Sequence, residues 1–234
     1  AEAMVVAGAS FLDIGGESTR PGALAVSEQE EMDRVLGAIA CIQGRFDVEI
    51  SLDTSTPKVM LAGAAAGVGL INDVRALSRE GAMEAAAETG LPICLMHMQG
   101  DPLTMQAGPQ YLNVVAEVTQ FLEQRASACS EAGISRDRLI FDPGFGFGKT
   151  PQHNFALLKH LPEVVGLGQP VLVGLSRKSM IASGRDRSTS QRLPAGLALA
   201  VLAMVGGAHI LRVHDVVETM DAVAMMTAYA EASP

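Results

Sequence analysis

Seven apolar runs of strand length recur along the chain, and nearly every one ends in polar or charged side chains. They cover residues 10–15, 48–53, 69–73, 92–97, 138–142, 170–176 and 209–214. Stretches rich in Ala, Leu, Glu and Met lie between them, as at 27–41 and 111–132. Near-continuous apolar strands alternating with helices imply a parallel sheet covered on both faces, since a strand with one wet face would alternate apolar and polar residues. Seven strands in 234 residues predict a (β/α)8 (TIM) barrel of the α/β class with one strand unaccounted for. A doubly wound open sheet is the alternative. Residues 1–8 read as the tail of a helix, so strand 1 and most of helix 1 of such a barrel are expected to precede Ala1. No Pro/Gly/Ser-rich linker divides the chain, and a single, N-terminally incomplete barrel domain over 1–234 is expected.

Composition narrows the partners. With 26 acidic against 17 basic residues the formal net charge is -9, which argues against a nucleic-acid surface. A 48% hydrophobic content excludes disorder. Cys41, Cys94 and Cys129 are odd in number and widely spaced, so they read as small buried hydrophobes in a reducing compartment. The opening Ala1-Glu2-Ala3-Met4 lacks the basic region of a signal peptide. The uncharged run 193–211 nears membrane-span length, but Gly206-Gly207 splits it into a helix and a strand. A soluble cytoplasmic protein is expected.

In a (β/α)8 barrel the site is built where strands end and feed the loops before the helices. Asp53 ends its strand before Thr54-Ser55-Thr56-Pro57. Pro57 suits a first helical turn, so Thr56 or Ser55 can cap that helix and leave Asp53 for catalysis. Asn72 closes the next strand and offers both donor and acceptor, suited to the edge of a polar heterocycle or to a loop hydrogen bond. Residues 142–150 read Asp-Pro-Gly-Phe-Gly-Phe-Gly-Lys-Thr. Pro143 stands where a phosphate loop needs its first Gly, which disfavours an NTPase. The glycines instead let Asp142 and a Phe wall that includes Phe147 approach a flat ligand. Ser176-Arg177-Lys178-Ser179 is expected to open a helix whose amides favour an anion, with Lys178 beside it. Arg212 and His214 alternate on the last strand and so point the same way, while Asp215 and Glu218 read as a helix-capping pair. His97 reads as a loop or core residue. Arg20, Lys178, Arg212 and His214 thus place cations at strand ends of an acidic protein, which implies a small, phosphorylated substrate.

With these motifs in order, the sequence resembles the dihydropteroate synthases of the folate pathway. The carriers are Asp13-Ile14-Gly15-Gly16-Glu17-Ser18-Thr19-Arg20-Pro21-Gly22, Ser51-Leu52-Asp53-Thr54, Ile71-Asn72-Asp73-Val74 and Leu95-Met96-His97-Met98-Gln99-Gly100. They continue with the 142–149 loop, Ser176-Arg177-Lys178-Ser179 and Arg212-Val213-His214-Asp215. The resemblance implies condensation of a dihydropterin methyl diphosphate with p-aminobenzoate, releasing pyrophosphate. It implies that Asp53, Asn72, Asp142, Phe147 and Lys178 hold the pterin, with Asp53 stabilising positive charge as the diphosphate departs. Arg20, Asn72, Arg212 and His214 would bind pyrophosphate. Thr19, Arg20, Pro21, Lys178 and Ser179 would enclose p-aminobenzoate, and Asp53, Lys178, Arg212 and His214 would be catalytic. Mg2+, sulfonamide competition and a homodimer are further implications. The family's opening Asn-Val-Thr-Pro-Asp-Ser-Phe-like loop, which supplies the metal-binding Asn, does not occur in this sequence, so no metal ligand is assigned within it. A pterin-binding methyltransferase relative and a non-catalytic pterin- or anion-binding remnant are the alternatives.

Overall fold

Each apolar run forms a strand in the computed structural model, which describes residues 1–18, 26–101, 104–182 and 187–233. The strands are β1 (Phe11–Gly15), β2 (Glu49–Asp53), β3 (Leu70–Asp73), β4 (Ile93–Met96), β5 (Leu139–Asp142), β6 (Leu172–Val173) and β7 (Ile210–Leu211). The helix α1 (Glu2–Val6) precedes β1. Between and after the strands run α2 (Glu28–Gln43), α3 (Pro57–Ala65), α4 (Ala82–Thr89), α5 (Val114–Glu131), α6 (Pro151–Lys159), α7 (Leu161–Val165), α8 (Leu193–Val205) and α9 (Val216–Glu231). All pairings are parallel and follow chain order from β1 to β5 and from β6 to β7, with a bridge between Phe141 and Val171 joining the two sets. A doubly wound sheet reverses its order at a switch point; this one does not, and the (β/α)-barrel class follows. Among the described residues β1 and β7 each pair on one side only.

The period of two along a strand sorts the side chains into two layers. Ile50, Leu52, Ile71, Ile93, Leu95, Leu139, Phe141, Val171 and Val173 face the helices and belong to one large core. Leu70, Cys94, Leu172, Ile140 and Ile210 have the opposite parity and pack together inside the barrel. Continuing that inward parity toward the strand ends gives Asp53, Asn72, Met96, Asp142 and Arg212. The barrel interior is therefore apolar at its base and polar at its mouth, and the sequence period alone produces the change.

Local signals start the helices. Ser27 Oγ accepts the Glu30 amide at 3.2 Å to begin α2, and Asn113 Oδ1 accepts the amides of Val115 and Ala116 to begin α5. Thr150 and His153 form a reciprocal cap on α6. The cap expected of Thr56 or Ser55 is different. Pro57 does open α3 with Thr56 preceding it, yet the Thr56 hydroxyl donates to Glu31 Oε2 at 2.6 Å, and the Ser55 hydroxyl donates to Asp73. Buried Glu31 also accepts from Thr54 at 2.5 Å, so these hydroxyls satisfy carboxylates that would otherwise be stranded in the core. The 193–211 run is α8 followed by β7, turning at Gly207 with φ +92°. No helix among the described residues is long and apolar enough to cross a membrane. Cys94 and Cys129 are buried, whereas Cys41 is exposed on α2, where the apolar face of that helix belongs to Val35 and Ile39.

Candidate active site

Strand register assembles the mouth. Asp53 lies level with Gly15 and Asn72, Asn72 with Cys94, and Asp142 with Met96. Three polar side chains from separate parts of the sequence thus reach one end of the barrel at similar height.

On the side formed by β1, β2 and β7, Arg212 spans two carboxylates. Its Nε donates to Asp13 Oδ2 at 2.5 Å and its Nη2 to Asp53 Oδ2 at 3.0 Å. Asp13 also accepts from Ser51 Oγ at 2.6 Å and from Asn72 Nδ2 at 3.3 and 3.4 Å. Burial and the neighbouring Asp13 charge raise the Asp53 carboxyl to about 7, against the pull of Arg212. The Arg212 side chain is 46% exposed, so its charge is open to an incoming anion.

On the opposite side Asp142 and Lys149 are buried, and Phe147 and Lys178 are half-buried. Asp142 Oδ1 accepts the Gly144 amide at 2.7 Å, and burial raises its carboxyl while Lys178 opposes the rise. Lys178 donates to the Phe145 carbonyl and stands 4.7 Å from the centroid of the Phe147 ring. Burial lowers its ammonium to about 8, partly offset by Asp142. The 144–148 loop is held carbonyl by carbonyl. Gly144 and Phe147 accept from Lys149 Nζ at 2.9 and 3.1 Å, Gly146 from Gln106 at 2.6 Å and Gly148 from the Tyr111 hydroxyl at 2.8 Å. The Gly146 amide donates to Asn154 Oδ1 at 2.7 Å. Glycine is needed here on steric grounds: at Gly144, φ +69°, a Cβ would lie 1.8 Å from the His97 carbonyl oxygen. Lys149 is itself buried, with His97 Nδ1 2.9 Å from its Nζ. Burial and the adjacent ammonium push His97 down to about 3, so the neutral ring offers Nδ1 as an acceptor. Burial also draws down the proton affinity of Lys149, and the nearby Asp142 charge opposes the fall.

The structure brings Asp53, Asn72, Asp142, Lys178, Phe147 and Arg212 to the barrel mouth and sends His214 to the β6 side. His214 Nδ1 lies 3.1 Å from Ser176 Oγ, whose oxygen also accepts the His214 amide at 3.2 Å. The ladder of β7 ends at Leu211, so the expected alternation of Arg212 and His214 along a strand does not apply. Nor does Ser176-Arg177-Lys178-Ser179 open a long helix. Arg177 adopts φ +60°, a short 3-10 turn covers Ser179–Ala182, and α8 begins only at Leu193. Asp215 precedes α9 without capping it through its side chain; its carboxylate instead pairs with Arg177, which holds the carboxyl below its usual range. Ser179 is exposed. Thr19, Arg20 and Pro21 lie outside the described residues. His97 is a core residue, as its apolar neighbours suggested.

Two residues of the site carried no assigned role in the sequence reading. Asp13 had a legible signal: it is the one carboxylate between Leu12 and Ile14, on the parity that faces inward. Lys149 had none beyond its place after the glycine loop, since nothing local distinguishes a lysine folded back into its loop from a solvated one.

A parallel (β/α) barrel whose mouth joins a buried carboxylate and a half-buried lysine to an arginine between two carboxylates suits a flat, charged ligand. The sequence profile of the pterin-binding enzymes matches residues 1–214, and the chain belongs to that family. Within it the relatives are dihydropteroate synthases, transferases of folate biosynthesis, and the chain is a transferase of that kind. It is 52% identical over 228 residues to the Escherichia coli (strain K12) dihydropteroate synthase, covering 97% of this chain and 81% of the relative. Identity to the Haemophilus influenzae enzyme is 51% over 231 residues, covering 99% and 84%. Among solved structures, the Yersinia pestis dihydropteroate synthase in complex with a sulfonamide drug superposes with a TM-score of 0.96 at 49% identity, covering 99% of this chain and 84% of that one. The Xanthomonas albilineans enzyme with 4-aminobenzoic acid gives 0.94 at 46%, covering 99% and 83%.

Proposed function

We propose that residues 1–234 act as one pterin-binding barrel domain that transfers the dihydropterin-6-ylmethyl group from its diphosphate to p-aminobenzoate, releasing pyrophosphate. The observation that carries the assignment of roles is the division of the mouth into one end where buried Asp142 lies near half-buried Lys178 and another where Arg212 is exposed. In this reading Asn72, Asp142 and Lys178 take the polar edge of the pterin and Phe147 borders it. Arg212 and His214, with Arg20 and Asn72, take the diphosphate. Lys178, Ser179 and the Thr19-Arg20-Pro21 segment enclose p-aminobenzoate. The C–O bond breaks with its electron pair passing to the diphosphate oxygen, and the aniline lone pair forms the new C–N bond. The proton left on that nitrogen passes to water. An aniline is neutral near pH 7 and needs no strong base, so the work lies in charge stabilisation: Arg212 for the departing anion, ionised Asp53 for the electron-poor methylene.

Mg2+ belongs to this reading as a counter-ion of the diphosphate. The Asp13 and Asp53 carboxylates are committed to Arg212, and among the described residues no group of three or more His, Cys, Asp or Glu is placed to hold a metal. We further propose a cytoplasmic homodimer competed by sulfonamides; exposed Leu202 and Val205 on α8 and Met225 and Tyr229 on α9 supply an apolar face for a second copy.

Pyrophosphate release from the dihydropterin diphosphate, dependent on added p-aminobenzoate and suppressed by a sulfonamide, is the expected result. Pterin binding by calorimetry with no release of pyrophosphate would make the chain a binding protein instead. Asp53 must be ionised and Lys178 protonated, so kcat/KM for the pterin substrate should rise as pH passes about 7 and fall as it passes about 8. A flat profile between pH 6 and 9, a range of about three units, would remove both assignments.

A further inference from the structure

We infer that Asp13 is a positioning residue for the transfer, holding the Arg212 guanidinium beside Asp53 so that a departing diphosphate meets it already in place. The inference rests on the reading of Arg212 as a diphosphate ligand. Asp13 is built for the task, because three different strands fix its carboxylate. It lies on β1, Ser51 Oγ on β2 donates to Oδ1 at 2.6 Å, and Asn72 Nδ2 on β3 approaches both oxygens at 3.3 and 3.4 Å. Its Oδ2, which Asn72 also approaches, accepts Arg212 Nε at 2.5 Å. An exposed arginine on a loop would otherwise sample many rotamers, and ordering it at the moment of reaction would cost free energy that a pre-set guanidinium has already lost.

The contact also crosses the side of the barrel where, among the described residues, β1 and β7 are not paired to each other. A merely structural link there would behave differently from a positioning one. Asp53 is faced by Asp13 from β1, Glu31 from α2, Asp73 from β3 and Arg212 after β7. The Asp13 charge raises the proton affinity of Asp53, and Arg212 lowers it. Neutralising Asp13 therefore moves the acid limb of the pH profile toward lower pH. Release of Arg212 from beside Asp53 opposes that shift, so the limb alone does not separate the two roles, and the coupling of Asp13 to Arg212 in kcat/KM does.

The test is a double-mutant cycle on kcat/KM for the pterin diphosphate, using Asp13→Asn, Arg212→Lys and the pair, with pH profiles for each. Arg212→Lys alone should lower kcat/KM about tenfold or more, because lysine lacks the two-pronged guanidinium. In that background Asp13→Asn should cost several-fold less than in the wild type, and the KM for p-aminobenzoate should stay unchanged throughout. Additive effects would overturn the inference while leaving Arg212 as the diphosphate ligand. An Arg212→Lys enzyme with unchanged kcat/KM would overturn that earlier reading as well. Should Asp13→Asn fail to fold, Ser51→Ala keeps every charge and removes one donor from Asp13. It should lower kcat/KM for the pterin substrate by about two- to tenfold, as expected for one hydrogen bond, and no change would count against the inference.

Discussion

The two ends of the barrel mouth bind by opposite strategies. At the pterin end Asp142 and Lys149 are almost fully buried, and every carbonyl from Gly144 to Gly148 already accepts a side-chain donor. At the diphosphate end Arg212 remains nearly half exposed while Asp13 and Asp53 hold it from the barrel side. A rigid, desolvated socket discriminates the shape and hydrogen-bonding edge of a neutral ring. An exposed cation between carboxylates suits a polyanion that must arrive, react and leave. Burial and solvent access are thus divided according to which fragment is retained through the chemistry and which is released.

The largest expected effect lies where the two ends meet. Asp53→Asn should lower kcat by about 10²–10³-fold, the magnitude typical of losing one preorganised electrostatic contact to the transition state. The same substitution should stabilise the fold at alkaline pH. In the unfolded chain this carboxyl ionises near 3.8, whereas in the fold it holds its proton to about 7. The native state therefore binds more protons than the unfolded one between those values, and stability falls as pH rises through the window. Asparagine escapes that penalty. Thermal melts at pH 4.5, close to the unfolded midpoint, and at pH 8, about one unit above the folded one, should show the variant gaining on the wild type by up to a few kcal/mol at the higher pH. A variant with normal turnover would break the comparison at its centre.

Next in size are the two cations. Lys178→Ala and Arg212→Ala should each weaken ligand binding by about 1.5–3 kcal/mol, the range for hydrogen bonds to charged groups. They should differ in what they weaken. Calorimetry should find that Lys178→Ala lowers affinity for a pterin with little dependence on salt, because the pterin ring is neutral. Arg212→Ala should lower affinity for pyrophosphate and flatten its salt dependence, since screening acts on the exposed charge. Identical profiles for both variants would abolish the distinction between the ends.

How far the sequence foretold this division depends on how local each signal was. The strand ends were legible because periodicity and a terminal polar residue lie within a few positions of each other; Asp53, Asn72, Asp142 and Arg212 were found in this way. Sequential pairing, which decides barrel against open sheet, was not local and needed the register. Ser176-Arg177-Lys178-Ser179 looked like a helix start because its composition allows one, but Arg177 takes a left-handed φ and its side chain pairs with Asp215 across 38 positions. The same long-range pairing removed Asp215 from its expected cap. Asp13 was visible in principle from its parity, whereas its link to Arg212 spans 199 positions and could not be read locally.

Lys149 tests whether the pterin end is truly preorganised. Lys149→Met keeps the buried stem and deletes the donor, stranding the Gly144 and Phe147 carbonyls and His97 Nδ1. Each lost partner in a buried site costs about 1–3 kcal/mol, moderated where loop and water can rearrange. The expected result is a lower melting temperature together with weaker pterin binding, while pyrophosphate affinity stays at the wild-type value. Equal losses at both ends would mean that the loop supports the whole barrel mouth.

The smallest effect probes the same loop one bond at a time. Tyr111→Phe removes the hydroxyl that donates to the Gly148 carbonyl at 2.8 Å and leaves the ring against His97 and His153. Because Tyr111 is only partly buried, water can reach the freed carbonyl, and the cost should be about 0.5–1.5 kcal/mol. Gly148 has φ +60° and sits against Gln99, so its carbonyl cannot swing far without a clash. The loss should therefore appear as faster local amide exchange in the 144–148 loop and a few-fold weaker pterin affinity, with the global melting temperature almost unmoved. An undiminished pterin affinity together with faster exchange would show that the loop closes on its ligand instead of waiting for it, and the contrast between a rigid end and an adaptable one would have to be drawn between Lys149 and Tyr111.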